Sequence, residues 1–420
     1  MSSSGEWREP MPLLRIALRE FADFENAMAA QIKAFCAQRS DVAIEAVPLD
    51  LDRLHRAVFA GGLADGDWDL AMLITDWLPD AIGKGLLEKL NPYMAAAPLR
   101  DWPQGWSRSL AGPLDFDGNL YCIPYHDGPE CLIYRRDLFE APGERAAFEK
   151  AFGYALRPPR TWQEFEDVAR FFTRPEQGLH GTVFACYPDG HNTLYDYTLQ
   201  VWSRGGELHD DSGQPTFASP HAEAALDFYR RIARDARCCH PGSVGFDSVA
   251  SGSAFLDGSV AMMVNWFGFA SRADRAGGAL AGRVGLAPIP CDPQRKPVSL
   301  SAFWNIGIGA GSRHKQLAYD FLRFLAEPEM DRVVIQHGAV GVRLSSWRDA
   351  EVQSAVPAFR KIEEISAGAR CLPRSAALPA FAQIVDGVIR TALESDEPSA
   401  AILKRADEQA RARNVHFGSR

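Results

Sequence analysis

Positive charge is in short supply: 45 lysines and arginines stand against 54 aspartates and glutamates. The resulting net charge of -9 argues against nucleic acid or an anionic membrane surface as partner, since both favour a basic face. Long apolar runs are missing too, and no stretch approaches the roughly 18 uninterrupted apolar residues of a membrane span. Met1 to Pro10 lacks the basic segment and following apolar segment of a secretory signal. Eight cysteines, Cys36, Cys122, Cys131, Cys186, Cys238, Cys239, Cys291 and Cys371, show no paired metal spacing and read mostly as small buried hydrophobes. His180, Asp189 and His191 match no common ligand pattern, so no metal and no cofactor are expected. There is no Gly-x-Ser-x-Gly elbow, no P-loop and no His-Glu-x-x-His, which removes three common signatures of catalysis.

What is present is a chain of 420 residues, 46% hydrophobic and 24% charged, long enough for two cores. Leu14, Ile16 and Leu18 alternate as a strand does, and Phe24, Met28, Ile32 and Phe35 then recur at helical spacing. Val42 to Val47 reads as a second strand, Asp52 to Ala60 as a short helix and Asp69 to Ile74 as a third strand. Such alternation predicts an α/β fold with a parallel sheet and covering helices. Ligands bind beyond the carboxyl ends of such strands, which selects two loops. One holds Glu20 and Phe21, the other Asp76 and Trp77. The alternative for Trp77 is a cap over Leu78 and Leu86, while Trp102 and Trp106, four apart, predict a packed pair.

Further on, Asp117-Gly118-Asn119 is turn chemistry, and Leu120, Tyr121 and Ile123 form a short extended run that Pro124 is expected to end. Tyr125, His126 and Asp127 follow, offering an aromatic face, an imidazole and a carboxylate. Thr161-Trp162-Gln163-Glu164 is a capping box, and Trp162, Phe165, Ala169 and Phe172 share one face of the helix it opens. Tyr187 lies in a polar, aromatic loop, and Ala225, Phe228, Tyr229, Ile232 and Ala236 mark an amphipathic helix. Val260 to Val264 reads as a strand buried on both faces, ending on Asn265 and Trp266.

Four separated blocks carry a resemblance. Gly118-x-x-Tyr121-x-x-Pro124-Tyr125 followed by Leu132-x-Tyr134-x-x-Asp137-Leu138-Phe139 is the first, and Thr161-Trp162-x-x-Phe165 the second. Phe255-Leu-Asp-Gly258 running into Ala261-Met262-Met263 is the third, and Phe321-Leu-x-Phe-Leu-x-x-Pro328-Glu329 the fourth. Together they resemble the extracellular solute-binding proteins of family 1, the substrate receptors of ABC importers for sugars and similar solutes. The resemblance implies a two-lobed periplasmic-binding-protein fold of class II type. Each lobe would hold a mostly parallel sheet with helices on both faces, and the ligand cleft would lie between them.

Lobe 1 would comprise residues 11–119 and 283–312, lobe 2 residues 124–280 and 315–410, with crossings at 120–123, 281–282 and 313–314. Val284 to Pro288 would then be the return strand into lobe 1. Tyr125, His126 and Asp127 would line the cleft from lobe 2, facing Asp76, Trp77 and Trp304 from lobe 1. Trp266 would stack on ligand. Arg343, in Gly338-Ala-Val-Gly341-Val-Arg343, would donate to it from a loop loosened because Gly341 replaces the usual proline.

The implied function is a monomeric, periplasmic receptor that binds a sugar, oligosaccharide or polyol and delivers it to a membrane permease without chemical change. Ten tryptophans and ten tyrosines suit stacking on pyranose faces. A cytoplasmic sugar-sensing protein on the same lobes would account for the missing signal. A glycoside hydrolase using Asp76, Asp127 and Glu130 is the enzyme alternative.

Overall fold

The computed structural model describes residues 11–275 and 277–418, so the signal expectation for Met1 to Pro10 lies outside the described residues. The chain opens with β1 (Leu13–Arg19), α1 (Ala22–Gln38), β2 (Ala43–Leu49), α2 (Leu51–Phe59) and β3 (Leu70–Ile74). It continues through β4 (Cys122–His126) and β5 (Glu130–Arg135) to helices α3 (Trp162–Phe172), α4 (Asn192–Trp202), α5 (Pro220–Ala233) and α6 (Ser248–Leu256). Strands β6 (Met262–Trp266), β7 (Val284–Ala287), β8 (Ser299–Leu300) and β9 (Trp304–Ile308) follow, then α7 (Lys315–Leu325) and α8 (Pro328–Gln336). The last elements used below are β10 (Ala369–Arg370), α9 (Leu378–Glu394) and α10 (Ser399–Ala412).

These elements divide into two compact units, residues 11–127 with Phe303–Ser346 and Gly128–Ala302 with residues 347–418. The first holds a five-stranded sheet in the order β2-β1-β3-β9-β4. β1 pairs parallel with β2 and β3, while β9 runs antiparallel between β3 and β4. Helix α1 covers it because Phe24, Met28 and Phe35 recur on one buried face. Phe35 meets Phe321 of α7 edge to face at 5.1 Å.

Pro124 does not end β4. The strand lies at the sheet's edge, where a missing N–H is tolerated, and its register shifts between Pro124 and His126. The turn before it is as expected: Asp117 and Gly118 take positive φ, and Asn119 N–H donates to Phe116 O at 3.0 Å.

The second unit departs from the expected mostly parallel sheet. Its main sheet has three strands, β6-β5-β7, all antiparallel, with β8 and β10 forming a separate parallel pair. The core lies between this sheet and helices α3, α4, α5, α9 and α10, around Leu132, Phe165, Tyr229, Ile389 and Leu403. The capping box opens α3: Thr161 Oγ1 accepts the Glu164 N–H at 3.2 Å, while Glu164 Oε2 accepts from Arg160 at 2.7 Å, one residue earlier than the usual reciprocal bond. Trp162 is structural, buried against Phe228 with its indole N–H on Ser203 Oγ at 2.8 Å. Helix α5 stops at Ala233, leaving Ala236 exposed beyond it.

The unit boundaries differ from the expected crossings. Residues 120–123 enter β4, which is bonded to β9 within the first unit, so the change comes at Asp127 and Gly128. Val284 to Ala287 is no return strand, because β7 pairs with β5 and holds the chain in the second unit until Ala302. Residues 313–314 are no crossing either: α7 and α8 pack on α1, and the chain leaves only after Ser346. Among the described residues, no helix is long and apolar enough to cross a membrane.

Candidate functional site

In the first unit, strand direction decides which side chains meet. β1, β3 and β4 run the same way and finish at one end of the sheet, while β9 starts there, with Trp304 opposite both Ile74 and His126. Phe21, His126 and Trp304 are thereby gathered around Phe24 in the first turn of α1, with Trp77 on the far side of Trp304. Ring centroids separate Phe24 from Phe21 by 5.1 Å, from His126 by 4.7 Å and from Trp304 by 6.4 Å. Trp77 crosses Trp304 at 6.1 Å and is itself flanked by His55 at 5.1 Å and Phe59 at 6.2 Å. Trp77 is therefore buried in this group rather than merely capping leucines, whereas Trp304 keeps part of its ring open.

Polar groups around the cluster are oriented by the backbone. The Val340 N–H donates to His126 Nδ1 at 2.9 Å, and burial pulls this imidazole down to about 3, so the ring is neutral at physiological pH. Tyr125 is buried, with its hydroxyl donating to Gln31 Oε1 at 2.9 Å, and burial raises the phenol. Glu20 is exposed, its N–H held by Leu49 O at 2.7 Å; Asp76 is half-buried beside Trp77. Asp127 is buried as the last residue of the unit. Tyr125, His126 and Asp127 thus belong to the same unit as Asp76, Trp77 and Trp304, not to the opposite lobe.

The second unit gathers a smaller group. Because β6 spans Met262–Trp266, Asn265 and Trp266 lie inside the paired strand rather than beyond its end, and Trp266 stands opposite Glu130. Tyr195 of α4 meets the Trp266 ring edge to face at 5.3 Å. Asn265 turns inward: its amide N–H groups go to Ser248 O and Ser251 Oγ, both at 3.1 Å, and its carbonyl accepts the Trp266 N–H at 2.7 Å. The amide is thus used to fix α6 to β6, while Trp266 on the other face stays half-buried against the core and Tyr195. Tyr187 stays apart, 51% exposed on the loop before α4 and without ring contact to Trp266 or Tyr195.

Arg343 is a correction. It is 1% exposed, donating to Arg100 O at 3.0 Å, Ala326 O at 2.9 Å and Asp101 Oδ2 at 3.0 Å, with its guanidinium 4.2 Å from the Trp106 ring. Trp106 in turn packs on Trp102 at 5.0 Å, as the spacing predicts. Asp331 accepts the N–H groups of Val342 and Arg343. The loop is not loose: a Cβ at Gly341 would stand 2.6 Å from Asp331 Oδ2, so glycine permits the close approach. Arg343 holds the loop and has no reach toward a ligand.

Sequence reasoning missed Phe24, Tyr195 and the depth of Glu130. Phe24 reads as one member of a helical stripe, and Tyr195 sits in Leu194-Tyr195-Asp196-Tyr197, which mimics alternation although it is helical. Among the described residues no cluster of three or more histidine, cysteine or acidic side chains fits a metal ion, and all eight cysteines are free thiols.

Two α/β units of this topology, each with an aromatic group at one end of its sheet, define a two-lobed solute-binding protein of the periplasmic type. The family model of the bacterial extracellular solute-binding proteins matches residues 20–331, and the chain belongs to that family. A Deinococcus radiodurans protein named as a probable ABC transporter-binding protein is 25% identical over 330 residues, 77% of this chain and 74% of the relative. The mannitol-binding protein of Pseudomonas aeruginosa is 26% identical over 336 residues, 77% of this chain and 72% of the relative. Among solved structures, maltose-bound MalE3 of T. maritima superposes with a TM-score of 0.82 at 22% identity, covering 96% of this chain and 99% of that one.

Proposed function

We propose that this protein is the substrate receptor of a bacterial ABC importer and binds a sugar or polyol. Trp304 and His126 serve from the first unit, Trp266 and Tyr195 from the second. The observation that carries the reading is a half-open tryptophan at one sheet end of each unit, Trp304 packed on buried Phe24 and Trp266 on buried Tyr195, within a family defined by solute binding. Aromatic faces pack on the C–H faces of sugar-like ligands, and fixed polar groups such as the neutral His126 ring bond hydroxyls. The names of the relatives, a mannitol binder and a maltose-bound receptor, support this ligand class. The ligand passes unchanged to the membrane permease, outside the cytoplasm.

A thermal-shift panel of hexoses, disaccharides and polyols tests the reading. One class is expected to raise the melting temperature, because only the folded state binds. No stabilisation by any member contradicts the reading, and release of product from a bound glycoside converts it into the hydrolase alternative.

A further inference from the structure

The structure assigns Glu130 the role of anionic contact in the second unit's ligand site, selecting a sugar-like ligand that carries a protonated amino group. This inference rests on the proposed sugar or polyol binding.

Glu130 opens β5 directly opposite Trp266 in β6. Alternation along the strand puts its side chain on the same face as Leu132 and Tyr134, the face that packs on α4. It is only 4% exposed, and its Oε2 is buried without a hydrogen-bond partner. A buried carboxylate with neither hydrogen bond nor counter-ion is costly, and an orphan of this kind implies a partner that comes and goes.

Among the described residues, the titratable groups facing it supply no cation. Asp196, on α4 next to Tyr195, accepts from the Tyr229 hydroxyl of α5 at 2.8 Å, and that oxygen stands 3.2 Å from Cys186 Sγ. The remaining neighbour is the buried Cys131 thiol. Burial, then the charge of Asp196, pushes the Glu130 carboxyl upward, and burial raises Asp196 although Tyr229 partly opposes it.

A ligand hydroxyl would satisfy the orphan oxygen but do nothing for the ionised form that burial and Asp196 disfavour. An ammonium supplies the hydrogen bond and the charge together. The crossed rings of Trp266 and Tyr195 beside it also favour a cation.

The test is calorimetry on the full chain with matched pairs: sorbitol with 1-amino-1-deoxysorbitol, glucose with glucosamine and mannose with mannosamine. At neutral pH the amino member of the bound pair is expected to bind about tenfold tighter or more, the size of one charge-assisted hydrogen bond. Glu130→Gln is expected to abolish that preference, bringing the amino member down to the affinity of the neutral one. Acidification is expected to shrink it in the natural chain, as the raised Glu130 carboxyl takes up a proton. Equal affinities within every pair, or a preference that survives Glu130→Gln, overturn the inference and leave the proposed function standing. No binding by any compound overturns both. Should Glu130→Gln fail to fold, an amine preference in the natural chain that does not fall with acid overturns the inference by itself.

Discussion

Arg343 shows how far one residue's role can depend on burial. From its place in a Gly-rich loop it reads as a ligand donor, yet three hydrogen bonds occupy its two terminal nitrogens and the guanidinium lies on the Trp106 face inside the first unit. Arg343→Leu is therefore expected to destabilise the fold by about 3–5 kcal/mol, because buried Asp331 would lose the compensating charge. A urea melt checks the size, and a loss under about 1 kcal/mol would mean that the site relaxes readily.

His126 and His180 carry a pH prediction of fixed sign. Burial lowers both in the folded state, so folding favours their neutral forms. Their contribution is complete above the ordinary histidine value of about 6.5 and declines as pH falls toward the folded values. An NMR titration should find the His126 ring still neutral at about pH 5. A midpoint near 6.5 would show that Val340 does not hold Nδ1 as an acceptor.

Among the elements, those of the first unit were the most legible. The stripe Phe24, Met28, Phe35 and the strands either side of it carry strong periodicity, and α1, β1 and β3 fall where that periodicity puts them. The sense of the second sheet was not legible, because apolar runs such as Cys131-Leu132-Ile133 and Met262-Met263-Val264 look alike whether their neighbours run parallel or antiparallel. Strand ends were also displaced. Tertiary pairing with Glu130 extends β6 through Trp266, two residues past the apolar run, and an edge position lets β4 run through Pro124.

The Thr161 half of the helix cap was readable, because its chemistry is local, although Glu164 bonds Arg160 rather than Thr161. Thr161→Ala is expected to cost about 1 kcal/mol through the lost acceptor for the Glu164 N–H, whereas Thr161→Ser should be nearly neutral. Denaturant midpoints of the two variants separate cap loss from a general packing effect.

On the scale of the molecule, the sequence signalled two α/β units, but their discontinuity came only from resemblance, since no local pattern reports which distant strands pair. The three changes of unit, after Asp127, Ala302 and Ser346, follow from β9 inserting between β3 and β4 and from α7 and α8 packing on α1. In the first unit, loops after strand ends point to Phe21 and Trp77, while Trp304, which opens a strand, came from the resemblance alone. In the second unit only Trp266 was legible, because Tyr195 lies on a helix whose pattern marks core.

The most direct test of the account is titration calorimetry of the ligand found in the panel, against the natural chain, Trp304→Ala and Trp266→Ala. Under the proposed function each variant should keep a cooperative melt and lose about 0.5–1.5 kcal/mol or more of binding free energy, roughly two- to tenfold, the size of one lost aromatic stacking contact. Unchanged affinity in both variants would contradict the assignment of the aromatic groups as the binding site.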